Sequence, residues 1–428
     1  MKKSKKATLF SVLFMGLGQI YNKETFKGIM LAIIEIVALF NIRYFSTSIK
    51  GLISLGDSGL KFVNGKATGD HSIFLMIEGL IAVIILFLVI SVYILNIYDA
   101  KRGGESIEKG NKPLNTKEFL SYVWKKYFPH IMLTPGFLFT AFFIVLPIMF
   151  TVAVAFTNYS SPNHLPPRNL VDWVGLDNFK QLVNLKMWNN TFLKVGIWTL
   201  IFAVVSTTCN FFVGLLLALI TNAKGIRFKK FFRTIFLLPY AIPAFISLLI
   251  MRLAFSGPGP VNNMLASFGM GKIPFFTDPL LAKIMILIIT VWLGSPYFMA
   301  LMSGILTNID KSLYEASEID GATKWQQFYK ITLPLVLFQT MPLLTMSFAY
   351  NFNNFGMIYL LTDGNPVNGS LQYAGDTDIL ISWIYKMTKD QNQYHMASVI
   401  TIILFIFVAS ISAYSFSKTK AFKEEDMM

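Results

Sequence analysis

Glu315-Ala316-Ser317-Glu318-Ile319-Asp320-Gly321, running on to Ile331-Thr332-Leu333-Pro334, is the longest polar interruption between two strongly apolar blocks in the C-terminal half of this 428-residue chain. Its local signals predict two short helices about a glycine. Ser312 followed by Glu315 has the spacing of a capping box, which satisfies free N–H groups at a helix start. Gly321 can take the left-handed conformation that closes such a helix. Thr323 followed by Gln326 offers a second capping box immediately afterwards. Pro334, with no N–H to lose, suits the first turn of the apolar helix that follows. The expected structure is a compact helix–turn–helix knuckle fixed at both ends to apolar segments.

Those flanking blocks belong to a chain-wide pattern. Hydrophobic residues make up 54% of the sequence and charged residues only 14%, against about 25% charged in soluble domains. Apolar runs of about 20 residues, each long enough to cross a bilayer, fall near 28–47, 73–97, 131–157, 195–221, 235–255, 281–306, 335–360 and 396–416. The fold class is therefore an all-α polytopic membrane protein with eight transmembrane helices. Pro147, Pro239 and Pro243 lie inside spans, which is tolerated where neighbours re-satisfy the freed carbonyls. The chain begins Met-Lys-Lys-Ser-Lys-Lys and stays apolar from Ala7 to Ile20. With no small-residue cleavage site and only about 14 apolar residues, this start reads as an interfacial or half-inserted helix.

Eight spans place both termini on one side, and the loops carry a sign bias that says which. Loops on the side of the N-terminus, 307–334 included, hold 24 Lys/Arg, against 11 in the opposite loops. Positive charge marks the cytoplasmic side, so both termini and the knuckle are expected there. The net charge of +14 does not signal nucleic acid, because the basic residues sit in short loops rather than on one soluble face. Asn-x-Ser/Thr matches at Asn158, Asn189 and Asn368 all fall in outward loops, where chance matches are common.

The chain lacks chemistry of its own. The nearest approach to a phosphate-binding loop, Gly59 to Gly65-Lys66-Ala67, has the wrong spacing and the wrong last residue. His71, His130, His164 and His395 are scattered and join no cysteine or carboxylate cluster. The single Cys209 excludes a disulfide within the chain. Glu35 is the deepest acidic residue within a span, with Arg43 two turns on, and such residues are functional candidates by default. A structural or lipid-facing role is an equal reading, because the first two spans look peripheral. No carboxylate relay runs through the other six, which argues against an ion-coupled transporter. A membrane-embedded enzyme is more remote still. A transporter built this way must receive its work from a partner.

The knuckle supplies the resemblance. Glu315-Ala316-Ser317, three residues, Gly321, nine residues, then Ile331-x-Leu333-Pro334 is similar to the coupling motif of ABC-importer permease subunits, with Ser317 in place of an alanine. The similarity covers roughly residues 130–418 and is greatest to the larger permease subunit of maltose/maltodextrin importers. Leu238-Pro239-Tyr240-Ala241-Ile242-Pro243, Trp292-Leu293-Gly294-Ser295-Pro296-Tyr297, Phe352-Asn353-Asn354-Phe355, Leu360-Leu361-Thr362 and Ala374-Gly375-Asp376-Thr377-Asp378 support it. The resemblance implies a six-helix type I (MetI-like) core over 130–418 carrying a coupling loop at 307–334. Ahead of it would come an interfacial segment, 1–27, and two peripheral helices with a linker, 28–129; a tail, 419–428, follows. It implies a heterodimer with a second permease subunit, an ATPase dimer that binds ATP and Mg, an extracytoplasmic sugar-binding protein, and no cofactor in this chain. Glu315, Ala316, Ser317, Asp320, Gly321, Ile331, Leu333 and Pro334 would seat the knuckle in an ATPase cleft. The outward loop 158–194 is short where some relatives carry a folded domain that helps hold the binding protein.

A sugar inside a membrane needs amides for its hydroxyls and aromatic faces for its C–H surfaces. Tyr350, Asn351 and Asn354 are spaced to share one face of the seventh span, and asparagines in hydrocarbon should not face lipid. Hydrogen bonding between helices is the alternative use. The resemblance implies that these three line the sugar site, together with Tyr240, Ala244, Thr290, Leu293 and Gly294. Ala244 and Thr290 replace more strongly hydrogen-bonding side chains of maltose-site relatives. The substrate implied is a maltodextrin-type oligosaccharide, with galacto-oligosaccharides or another oligosaccharide as the alternative.

Overall fold

The computed structural model describes residues 2–63, 66–113, 115–167, 169–223 and 225–417. The expected tail 419–428 and Gly65 lie outside them. Packing divides the chain into two compact units, Met1–Gly175 and Leu176–Met428.

In the first unit, α1 (Lys3–Leu13) and α2 (Leu17–Tyr21) precede α3 (Thr25–Phe40), α4 (Ile42–Ser54), the antiparallel hairpin β1 (Lys61–Val63) and β2 (Lys66–Thr68), α5 (Ser72–Glu108) and α6 (Thr116–Ala155). The hairpin is the one departure from an all-α architecture among the described residues. α1 is too short to span and instead packs along α5. Close approach is possible because Gly104 has no side chain; a Cβ there would lie 2.5 Å from the Ser4 Cα. Three buried amides fasten the segment. Gln19 Nε2 donates to the Asn96 carbonyl (2.9 Å), Asn96 Nδ2 to the Ser11 carbonyl (3.1 Å) and Asn22 Nδ2 to the Ala100 carbonyl (2.9 Å). Glu35 accepts a hydrogen bond from the Met15 N–H in the break between α1 and α2. That contact gives the intramembrane carboxylate a structural use.

Two expected spans are bent. α3 and α4 meet at 53° beside Asn41, so the first span is not one straight helix. α6 contains a π-helical turn, Ala141–Val145, immediately before Leu146-Pro147. A wider turn there suits a proline, whose ring clashes with a regular preceding turn and which lacks the N–H for it. The expected domain boundary at 130 and the packing division at Gly175 differ, since the far end of α6 packs on α5.

The second unit holds α7 (Lys186–Asn222), α8 (Lys229–Ala241), α9 (Ala244–Ala254), α10 (Pro279–Asn308), α11 (Lys311–Ile319), α12 (Lys324–Phe352), α13 (Phe355–Leu361), α14 (Leu380–Lys389) and α15 (Tyr394–Ser417). α7 and α10 run side by side at its centre. Asn210 meets Gly294 and, four residues on in both helices, Gly214 meets Phe298, so the pair is parallel. Apolar association in lipid rests on such close packing rather than on water exclusion. Two buried clusters flank this seam, one around Phe202, Ile286, Ile289 and Ile358, the other around Phe211, Leu215, Met299, Met302 and Val336.

The fifth expected span, 235–255, is two helices bent by 91°. Ile242, before Pro243, is driven to the extended region (φ −91°, ψ 134°), as the proline ring requires. Among the described residues six helices are long and apolar enough to cross a membrane, and eight if each bent pair is one span.

Candidate functional site

The knuckle forms as two capped helices about a glycine, with one reassignment. Asp310, not Ser312, caps α11: its carboxylate accepts the Ser312 N–H at 2.9 Å. Aspartate two residues earlier wins because its side chain reaches N2 while Ser312 is already helical. That hydrogen bond holds the Asp310 carboxyl below its ordinary value of 3.8. At the other end Gly321 has φ +77°. Its N–H donates to the Glu318 carbonyl (3.1 Å) and the Ala322 N–H to the Ser317 carbonyl (2.9 Å). These bonds satisfy two carbonyls left free at the helix end, in a Schellman arrangement. Thr323 and Gln326 form the expected capping box, with Thr323 N–H to Gln326 Oε1 at 2.7 Å.

Side chains tie α11 to α12. The buried Gln327 Nε2 donates to the Tyr314 carbonyl (3.2 Å) and to Ser317 Oγ (2.9 Å). An alanine at 317 could not accept that bond, so the departure from the motif has a structural use. Tyr314 and Thr332 share a hydrogen bond of 2.9 Å between hydroxyls. Leu333 packs on the cluster around Val336. Pro334 does not open a separate helix: α12 runs continuously from Lys324, and a π turn at Phe328–Thr332 admits the proline. Glu315, Ala316, Asp320 and Gly321 are exposed, Ile331 is half-buried, and Ile319 stands 88% exposed at the tip. The result is a stiff knob whose apolar tip is left uncovered by the described residues.

The proposed sugar residues do not assemble as spaced. α12 ends at Phe352; Asn353 turns out of the helix, and Asn354 becomes the cap of α13, accepting the Met357 N–H at 3.2 Å. Asparagine's tendency to bond nearby backbone ended the helix, so Tyr350, Asn351 and Asn354 do not share a helix face. Tyr350 is exposed, whereas Asn351 is buried and its Nδ2 donates to Thr207 Oγ1 on α7 at 3.0 Å. Tyr240, 61% exposed on α8, stands with its ring 6.1 Å from that of Tyr297 on α10. Ala244 is the exposed first residue of α9. Thr290 is buried and spends its hydroxyl on the Ile286 carbonyl (2.6 Å). Leu293 packs against the cluster around Ile289.

Gly294 leads to a residue the sequence reading missed. A Cβ on it would lie 2.5–2.8 Å from the Asn210 carboxamide. Asn210 is 4% exposed, and its Oδ1, like Ser206 Oγ one turn earlier, has no hydrogen-bond partner among the described residues. With Thr207–Asn351 these groups make a polar seam along α7. The signal was present as Thr207-Thr208-Cys209-Asn210 inside the fourth span, since intramembrane amides are rarely idle. Among the described residues no group of three His, Cys, Asp or Glu could hold a metal.

A chain of long apolar helices with a capped knuckle between two of them, α10 and α12, defines a class. Residues 210–419 match the family of binding-protein-dependent transport system inner membrane components, and the chain belongs to it. Its relatives include the galactooligosaccharides transport system permease protein GanP of Bacillus subtilis (strain 168), 39% identical over 423 residues, or 98% of each chain. The maltodextrin transport system permease protein MalC of Streptococcus pneumoniae serotype 4 is 38% identical over 436 residues, covering 99% of this chain and 97% of that one. In fold the chain resembles the crystal structure of a bacterial ABC transporter involved in the import of the acidic polysaccharide alginate. The TM-score is 0.58 at 22% identity, over 71% of this chain and 98% of that one.

Proposed function

We propose that the chain is one of two different membrane subunits of an ATP-driven importer of maltodextrin-type oligosaccharides, with both termini and residues 307–334 in the cytoplasm. The observation that carries the reading is the knuckle: a rigid, exposed helix in a chain with no phosphate loop. Glu315, Ala316, Ser317, Asp320 and Gly321 seat it in a partner ATPase, where ATP and Mg are held. Ile331, Leu333 and Pro334 anchor it to the bundle. Closure of the ATPase pair moves α11, and Gln327 passes the movement to α12. That helix has 29 residues, so it reaches about 43 Å at a rise of 1.5 Å per residue. It ends beside Asn351, which bonds α7. The knuckle and the polar seam are thus two ends of one lever.

A binding protein outside delivers the sugar. Tyr240 with Tyr297 offers aromatic surface, and the polar seam of Ser206, Asn210 and Asn351 behind Gly294 supplies hydrogen-bonding groups for its hydroxyls. The substrate reading draws support from relatives named for maltodextrin. A galacto-oligosaccharide is the second reading, favoured by the 39% identity to the galactooligosaccharide permease. A strain deleted for this gene decides between them: loss of labelled maltotetraose accumulation alone supports the first, and loss of galacto-oligosaccharide uptake alone supports the second. Uptake that survives ATP depletion but collapses with the proton gradient would refute both.

A further inference from the structure

The ends of α9, α10 and α13 that face outward in the proposed topology line an open cavity of about 250 Å3. Phe255 follows α9, Phe275 and Phe276 precede α10, and Thr362 and Asn365 follow α13; Arg252 stands in the last turn of α9. The Phe255 and Phe275 rings meet edge to face at 5.2 Å and 79°. None of the residues assigned above to the sugar site lines this cavity.

Its polar groups are not used up. Arg252 is exposed and has no ion-pair partner among the described residues. The C-terminal end of α9 favours its charge there, and its guanidinium presents a planar fan of donors. Asn365 Nδ2 donates to the Thr362 carbonyl (2.9 Å), which leaves its Oδ1 to accept. The wall behind is braced. Thr362 and Thr377 share a hydrogen bond of 2.9 Å, and Thr377 Oγ1 donates to the Asn365 carbonyl at 2.7 Å. The buried Asp378 accepts from Gly375 N–H (2.7 Å), Ser382 Oγ (2.7 Å) and Lys386 Nζ (2.8 Å). Because those bonds exist before any ligand arrives, little ordering cost remains at binding.

We propose that this cavity is a second carbohydrate subsite, which holds a neutral hexosyl residue of the oligosaccharide against the phenylalanine rings with Arg252 and Asn365 on its hydroxyls. The assignment rests on the oligosaccharide reading above. Apolar walls with few polar groups suit a sugar's mixed surface. A phosphorylated or acidic ligand would face one cation only, and an acyl chain would leave the arginine and amide without a use. Position adds a length requirement. α10 begins at Pro279, beside the cavity, and Gly294 lies 15 residues further along, which is about 22 Å at 1.5 Å per residue. A molecule touching both subsites must be an extended chain, and a disaccharide cannot occupy them together.

The test is uptake of labelled maltose and maltoheptaose by the complete complex in proteoliposomes, supplied with its binding protein, for wild type, Phe276→Ala, Phe276→Trp and Arg252→Gln. Phe276→Ala and Arg252→Gln should raise the KM for maltoheptaose roughly fivefold, the loss expected of one aromatic or polar anchor. KM for maltose and kcat for both sugars should stay put, and Phe276→Trp should retain the wild-type KM. Equal changes for both sugars, or none, would overturn the subsite. So would a loss of ATPase stimulation by the loaded binding protein that is the same for both sugars, which would make the cavity a protein-docking surface. A wild-type complex that takes up neither sugar would overturn the substrate reading and this subsite with it.

Discussion

Replacing Gly321 isolates the backbone turn that closes the knuckle. The residue has φ +77°, and a Cβ there would meet nothing within 4 Å. Any penalty is therefore conformational rather than steric. Holding an L-residue in the left-handed region costs about 1–2 kcal/mol, which shifts the local equilibrium between closed and frayed turn by roughly 5–30-fold. Gly321→Ala should incur that cost, Gly321→Asn much less of it, and Gly321→Val more, because asparagine tolerates the region and β-branched residues do not. The assay is ATPase activity stimulated by the loaded binding protein, and sugar uptake, in proteoliposomes holding equal amounts of each variant. Both should fall together in the order Asn, Ala, Val. If asparagine proves as damaging as valine, side-chain bulk at a contact surface explains the loss and the backbone argument fails. Wild-type coupling in all three would remove the turn from the mechanism.

Three further perturbations address other parts of the lever. Gln327→Ala strips donors from the Tyr314 carbonyl and Ser317 Oγ, and should destabilise the knuckle by about 1–3 kcal/mol; faster proteolysis at Lys311 and Lys324 would register it, and unchanged cutting would deny the tie. Gly294→Ala forces a methyl onto Asn210 and should cost about 1–3 kcal/mol by overpacking; the double variant with Asn210→Gly should recover thermal stability, whereas additive losses would contradict the packing. For Asp310 the folded-state pKa is depressed, so its cap contributes fully above the ordinary 3.8 and is lost as pH falls through the lower folded value. Hydrogen exchange of residues 311–314 should therefore accelerate at the acid end relative to Asp310→Asn, which caps in either condition, and parallel profiles would rule the linkage out.

The knuckle was legible in the sequence because its signals are local. Thr323 and Gln326, or Gly321 after Ile319, act over three or four residues and need no tertiary partner. The long apolar segments were legible for the same reason, since hydropathy accumulates along one segment. The choice of Ser312 over Asp310 failed by a residue or two, the usual margin when two capping side chains compete. The seventh span failed differently. Helical spacing predicts a shared face only while the helix lasts, and Asn353-Asn354 ended it. Asn210 was visible as a polar residue in a span, but its meeting with Gly294 depends on two helices separated by over 80 positions. The 91° break between α8 and α9 was signalled by Pro243, and tolerance of proline in membrane helices was given too much weight.

The most direct measurement is photo-crosslinking from the tip of the knuckle. With p-benzoylphenylalanine in place of Ile319, irradiation of membranes that contain the whole transporter should join this chain to its ATPase subunit, and the yield should change when ATP is added. Adducts with lipid alone, or none with the ATPase in either condition, would contradict the claim that this chain is driven through its knuckle by another.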